Sequence, residues 1–165
     1  MTQKNLVLYR ESKKPLVYDA FYNANGKAKP LVLFSHGYKG FKDWGSWDLV
    51  AQTFSEANLF FVKFNFSHNG GTAENPIDFP DLNAFAENNY SKELDDIDCI
   101  LNHLLSDNLF NEEIDFNNIT LIGHSRGGGI SIIKAYGLED QTSKSFNELS
   151  QTSKQKQLNL VKHRA

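Results

Sequence analysis

The sequence has little of what marks secreted, membrane-spanning or nucleic-acid-binding proteins. Its single cysteine, Cys99, excludes an internal disulfide and fits a reducing cytoplasm. No apolar run approaches the roughly 18 residues of a membrane span, and the N-terminus lacks the apolar segment of a secretory signal. The net charge of -3, without a basic patch before the C-terminal tail, argues against a nucleic-acid partner. We therefore expect a cytoplasmic protein that binds neither membrane nor nucleic acid.

The chain does have the composition of a globular domain. Its 165 residues are 40% hydrophobic, which is enough for one domain with a core of its own. Phenylalanine is frequent, with 13 copies, so the core is expected to be rich in aromatic rings.

Short apolar runs alternate with segments of helical periodicity. The predicted strands are 6–10 and 16–23, which form a hairpin, then 31–35, 59–67 and 117–123. The predicted helices are 44–58, 91–107 and 127–138, and residues 68–89 are predicted to be a loop. The last three strands are continuous apolar runs, which is typical of strands buried on both faces of a parallel sheet. The pattern predicts an α/β protein with a mostly parallel, three-layer sheet of strands β1–β5.

The pattern ends at Leu138. Residues 139–165 are rich in Ser, Thr, Gln and Asn, contain the tetrapeptide QTSK twice, and show little apolar periodicity. We therefore predict a partial domain over residues 1–138 and a polar tail over 139–165 that is disordered or derived from a frameshift.

The segment Gly123-His124-Ser125-Arg126-Gly127 matches the pattern G-x-S-x-G between a predicted strand and a predicted helix. Such a tight turn lifts the serine hydroxyl clear of the backbone and points the following N–H groups at a reacting oxygen. Ser125 is the candidate nucleophile, and the backbone N–H of Arg126 is a candidate oxyanion donor. The alternative interpretation is a glycine-rich turn with a capping serine.

A second glycine turn, His36-Gly37-Tyr38, follows the third strand. In a parallel sheet this strand ends at the same edge as the strand before Ser125. The backbone N–H of Tyr38 is therefore the second candidate oxyanion donor, although an ordinary β–α loop would also explain the turn. The candidate pocket-lining residues are His36, Gly37, His68 and His124. For His36, hydrogen bonds that order the loop are the favoured role.

These motifs resemble the α/β-hydrolase superfamily over about residues 16–138. The resemblance rests on HGYKG after the third strand, FNFSHNGGT after the fourth and GHSRGG after the fifth, and it extends to the dienelactone-hydrolase and serine-aminopeptidase groups. It implies that Ser125 is the nucleophile, that Tyr38 and Arg126 provide the oxyanion amides, and that residues 70–71 lie near the pocket. It also implies acyl transfer to water from a small ester, thioester or amide, without a cofactor.

The sequence departs from the superfamily after the serine. The superfamily carries its acid and histidine after later strands, which are missing here, so the chain resembles a C-terminally truncated member. His163 is the only histidine after Ser125, and Asp140 directly follows the last predicted helix; neither fits a firmly held catalytic group. We expect impaired catalysis, and an exposed sheet edge through which copies of the chain self-associate.

Two further functions stay open. One is a non-catalytic binding or interaction protein, and the other is anion binding by residues 123–129 at a helix N-terminus. The latter lacks the G-x-G-x-x-G and G-x-x-x-x-G-K-[ST] spacings. No residue spacing indicates a metal site. Solvated surface positions are expected for five charged residues, namely Lys39, Lys42, Asp95, Asp96 and Asp98.

Overall fold

The computed structural model of the chain describes residues 1–106 and 109–141. Its elements in chain order are β1 (Thr2–Arg10), β2 (Lys13–Phe21), β3 (Lys29–Ser35), α1 (Trp47–Glu56), β4 (Phe60–Phe64), α2 (Leu82–Ala86), α3 (Tyr90–Ser106), β5 (Ile114–Gly123) and α4 (Arg126–Gln141). Every predicted strand and helix is present, and the predicted fold class is confirmed. The loop predicted over 68–89 is wrong at α2, because a helix of five residues is too short to show a periodic pattern.

The described strands form one sheet in the order β1-β2-β4-β3-β5. The pairs β1–β2 and β2–β4 are antiparallel, whereas β3 is parallel to both β4 and β5. Only β2 therefore opposes the common direction of the other strands. Ser35 at the end of β3 is in register with Phe64 of β4 and Gly123 of β5. The loops that follow these three strands consequently leave the sheet side by side.

Helices cover both faces of this sheet. Along β3, Leu31 and Leu33 face a core that includes α3 and Ile130 of α4, whereas Val32 and Phe34 face α1. All four β3 side chains are buried, and burying an aliphatic or aromatic side chain of this size contributes about 1.5–3 kcal/mol. The alternation of apolar residues toward two helix layers explains why β3 is a continuous apolar run.

The strand β5 differs from its predicted burial. Residues 117–123 are predicted to be buried on both faces, but they are half-buried or exposed, and Ile114 is the buried residue of the strand. Among the described strands β5 lies at the edge of the sheet and pairs with β3 alone. Self-association through this edge stays a prediction.

The chain divides into two units, with the boundary between Ser131 and Ile132. The first contains the whole described sheet, helices α1 to α3 and the beginning of α4. The described part of the second is the remainder of α4, which ends at Gln141. The predicted tail over 139–165 lies outside the described residues from 142 onward. Within the described part of the chain, no helix combines the length and apolar character needed to cross a membrane.

Candidate active site

The turn from β5 into α4 holds Ser125 in a left-handed backbone conformation. Its φ is +54°, a conformation that costs a non-glycine residue about 1–3 kcal/mol and persists only where the surroundings impose it. The N–H of His124 donates to the Ser35 carbonyl at 3.0 Å, and the N–H of Gly128 donates to the Ser125 carbonyl at 3.0 Å. The bend is thus tied to β3 on one side and to the first turn of α4 on the other, and Ser125 itself is exposed.

The two outer glycines of G-x-S-x-G permit this bend because backbone packs directly on backbone. A Cβ at Gly123 would lie 2.2 Å from the carbonyl carbon of Gly127, and a Cβ at Gly127 would lie 2.2 Å from the Ser35 carbonyl oxygen. No side chain fits at either distance. The two glycines of the G-x-S-x-G pattern are therefore required by the close approach of β3, the bend and α4.

The turn after β3 lies against the serine. A Cβ at Gly37 would lie 3.2 Å from the Ser125 Cβ and 3.1 Å from the His124 carbonyl oxygen. The segments that carry the two candidate oxyanion donors, Tyr38 and Arg126, are therefore adjacent. Within residues 1–106 and 109–141 neither of these two backbone N–H groups has a protein acceptor, so both can donate to an oxygen of a ligand.

His36 lies beneath this turn rather than in a pocket. Its side chain is buried, Nδ1–H donates to the Gly37 carbonyl at 2.9 Å, and Nε2 accepts the Phe66 N–H at 3.2 Å. Burial lowers the pKa of His36 to about 4, against the opposing effect of the Gly37 hydrogen bond. The ring is therefore neutral at neutral pH, and both nitrogens are used in ordering the loop.

Acidification is expected to destabilise the protein through His36. Its folded pKa of about 4 lies below the ordinary value of 6.5, so the unfolded chain binds the proton first and stability falls as the pH drops between these values. The full loss is roughly 3 kcal/mol. Urea unfolding at pH 7 and pH 4.5 measures it, and His36→Gln should reduce the pH dependence. An unchanged pH dependence in that variant would contradict the assignment.

The other candidate histidines lie in different surroundings. The His124 ring is exposed and packs on Trp47, with 5.4 Å between ring centroids. His68 Nδ1 lies 2.8 Å from Ser67 Oγ, and burial, followed by the charge of Lys92, lowers the pKa of His68. His103 pairs with the Tyr18 hydroxyl at 3.0 Å.

None of these rings supplies a visible partner for the serine. In the part of the chain that the structure describes, no histidine hydrogen-bonds to Ser125 Oγ. His163 and the side chain of Asp140 lie outside the described residues. The structure thus brings Ser125, Gly37, Tyr38, Arg126 and His124 together.

A cluster of charged residues, absent from the sequence-based predictions, extends from the buried α1 face of the sheet to the surface. It consists of three lysines and three aspartates, namely Lys4, Lys42, Lys63, Asp19, Asp43 and Asp48, and is called the charge cluster below. Lys42 is predicted at the surface, but its side chain is fully buried, as is that of Lys63. The prediction for Lys42 is wrong because β1 and β2 cover the residue, and Asn5 and Asp19 bind its ammonium group, each at 2.8 Å.

The charge cluster anchors the loop that carries Gly37 and Tyr38. Lys63 Nζ donates to the Lys42 carbonyl at 2.8 Å and to Asp43 Oδ1 at 2.6 Å. Its distance to Asp19 Oδ2 is 2.9 Å, an ion-pair contact whose direction is poor for a hydrogen bond. The three carboxylates lie close enough to share a metal ion, but three ammonium groups already balance their charge. We therefore assign ion pairs there.

The predicted surface position of Asp96 is also wrong. Asp96 is predicted on a solvated helix face, but it is buried, and it accepts the Ser67 N–H and an Arg10 Nη1–H, each at 2.8 Å. Burial raises the pKa of Asp96 despite these two partners. Asp96 thereby ties α3 to the loop after β4.

A cavity of about 240 Å³ opens between the start of β2 and the loop after β4. Its lining includes Lys14, Asn69, Gly71 and Asp81 but not Ser125. The Lys14 and Asp81 side chains form an ion pair at 2.5 Å. The cavity therefore lies apart from the serine turn.

The strand order, the helices on both faces and the serine turn together define the α/β-hydrolase fold. No family model matches the sequence, and no similar curated protein was found. Solved structures do match it, and three examples show how far the likeness extends.

Dienelactone hydrolase from Anabaena variabilis matches with a TM-score of 0.62 and 16% identity, over 85% of this chain and 59% of that one. Est1E from Butyrivibrio proteoclasticus matches with a TM-score of 0.60 and 16% identity, over 81% of this chain and 46% of that one. The alpha/beta hydrolase domain-containing protein 10 from mouse gives a TM-score of 0.56, 19% identity, and 81% and 44% coverage. The chain thus shares the fold of these proteins over about half their length.

Proposed function

We propose that the protein is an esterase-like serine hydrolase with Ser125 as its nucleophile. The observation that carries the proposal is the left-handed Ser125 at the bend between β5 and α4, exposed and in contact with the Gly37 turn. The names of the solved structures that match, which include a brefeldin A esterase and a dienelactone hydrolase, support an ester of a small molecule as substrate. No cofactor is needed for this chemistry.

In the proposed reaction Ser125 Oγ attacks the substrate carbonyl carbon while a base accepts the hydroxyl proton. The carbonyl oxygen becomes an oxyanion that accepts hydrogen bonds from the backbone N–H groups of Tyr38 and Arg126. The C–O bond to the alcohol then breaks, the alcohol leaves with a proton, and an acyl-serine ester remains. Attack by water on that ester releases the acid and restores the hydroxyl.

We propose that this turnover is slow in this protein. The reason is that no described histidine accepts a hydrogen bond from Ser125 Oγ, and a missing base leaves only the contribution of the oxyanion amides and binding. The same observation favours a second candidate, a non-catalytic binding protein that retains the fold.

Labelling with a fluorophosphonate probe separates these two functions. We expect the full chain to label slowly, in keeping with the slow turnover proposed above, and Ser125→Ala to abolish the label, because the probe forms a covalent bond to the serine oxygen. Ser131→Ala is the matched control, because Ser131 lies on α4 outside the bend and should leave labelling intact. Absence of label on the wild-type protein would favour the non-catalytic function.

A further inference from the structure

The side chain of Arg126 reaches from the serine bend to α3. Arg126 Nε lies 3.0 Å from Oε2 of Glu93, and the guanidinium carbon lies 4.4 Å from the centre of the Tyr90 ring. Glu93 is buried, with 3% of its side chain exposed. Its other oxygen, Oε1, accepts a hydrogen bond from Asn88 Nδ2 at 2.7 Å. The carboxylate is therefore held from both sides, and Arg126 is the cation that balances it.

This contact lies next to the backbone that the proposed function uses. The Ser125–Arg126 peptide carries the N–H that we assign to the oxyanion, and the strained Ser125 φ sets the direction of that peptide. The anchor is rigid, because α3 packs its Ile97 and Ile100 side chains, both fully buried, against the sheet. A side chain held at its far end by a fixed helix restricts rotation of its own backbone.

We propose that Glu93 is a positioning residue that acts through Arg126 and holds the Ser125–Arg126 peptide in its strained orientation. The consequence for catalysis rests on the proposed function, whereas the consequence for the backbone does not. Removing Glu93 frees the Arg126 side chain, so the bend relaxes, the amide leaves its oxyanion orientation, and Ser125 loses reactivity.

The test compares Glu93→Ala and Glu93→Gln with the wild-type chain by two measurements, fluorophosphonate labelling rate and amide hydrogen exchange. For Glu93→Ala we expect labelling to slow by roughly tenfold or more. We also expect exchange of the amides of residues 127–129, which donate to the His124 and Ser125 carbonyls, to accelerate, while core amides of β3 and β4 keep their rates. Glu93→Gln retains an acceptor of the same reach for Arg126 Nε–H, so most of the labelling rate should return. If Glu93→Ala does not fold, Glu93→Asp keeps the charge but shortens the reach and should show the same two changes.

Asp95→Ala is the matched control, since Asp95 lies on the same helix and pairs with Lys13 at an exposed site; it should change neither measurement. The proposal would be overturned if Glu93→Ala exchanged and labelled at the same rates as the wild-type protein. It would also be overturned if exchange accelerated equally at core amides, because that result indicates general destabilisation. If the wild-type chain does not label but exchange at 127–129 responds as expected, the proposed function is wrong and the positioning role stands.

Discussion

Replacing Lys63 by methionine is expected to lower the free energy of unfolding by about 3–5 kcal/mol. The reason is that the buried Asp19 and the largely buried Asp43 then share Lys42 as their remaining close cation, so one carboxylate charge is left uncompensated. Lys63 Nζ contacts Asp19, Asp43 and Asp48 at 2.6–2.9 Å, and its side chain has no exposed area. Methionine has a similar volume but provides the carboxylates with neither a hydrogen-bond donor nor a positive charge. Urea or thermal unfolding of the full chain measures the loss.

The pKa shifts in the charge cluster give this prediction its sign. Burial lowers the pKa of Lys63, but its contacts with the carboxylates of Asp19, Asp43 and Asp48 outweigh burial and raise that pKa above its ordinary value. Burial raises the pKa of Asp43, but Lys42 and Lys63 outweigh it and hold that pKa well below its ordinary value. The Asp43 contribution to stability is therefore present at neutral pH and is lost as the pH falls through the acid range.

Lys13→Met provides the control for Lys63→Met. Lys13 forms an ion pair with Asp95 at 2.8 Å, with about half of each side chain exposed, so its loss should leave stability nearly unchanged. Equal stability of the Lys63 and Lys13 variants would show that the charge cluster does not stabilise the fold.

A second expected effect of Lys63→Met is slower fluorophosphonate labelling, because the loop that carries Gly37 and Tyr38 loses its attachment to β4.

Gly127→Ala is expected to remove fluorophosphonate labelling and to destabilise the fold by about 3 kcal/mol or more. The new Cβ would lie 2.2 Å from the Ser35 carbonyl oxygen and 2.4 Å from the His36 carbonyl oxygen. Both are backbone atoms of β3 and the following residue, so relief requires the bend to separate from the sheet. That movement would also carry Ser125 away from the Gly37 turn.

Gly129→Ala is the matched substitution in the same helix. A Cβ at Gly129 would meet nothing within 4 Å, and alanine in an exposed helical position stabilises by about 0.5–1 kcal/mol relative to glycine. The two variants differ only in what surrounds the added methyl group. Thermal unfolding of both, side by side, measures the contrast, and a Gly127→Ala protein as stable as the wild type would contradict the close packing.

These predictions concern two neighbouring segments, the Gly37 turn and the serine bend. The Gly37 turn is fixed from below by His36, Lys42 and Lys63, and the serine bend is fixed by Gly123 and Gly127. The proposed site needs both segments held to within a fraction of an ångström, and supporting residues would provide that precision. We propose that the Lys63 contacts on the β4 side and the Glu93 contact on the α3 side have this role.

The sequence by itself determined the strands, the longer helices and the position of the serine bend. Those features depend on short-range patterns: apolar runs for β3 and β4, helical spacing for α3, and glycines at 123 and 127 where no side chain fits. Neighbouring residues carry these signals, so no knowledge of distant contacts is needed to interpret them.

Only the tertiary structure decided which charged residues are buried. Lys42 and Asp96 stand in polar stretches that are typical of surfaces, yet β1, β2 and the loop after β4 cover them, and each finds an opposite charge from a distant part of the chain. Glu93 meets Arg126 in the same way, across 33 positions. The identity of a lysine or an aspartate in the sequence does not tell whether its side chain is exposed or buried. The free energy of burying it depends on partners that only folding brings near.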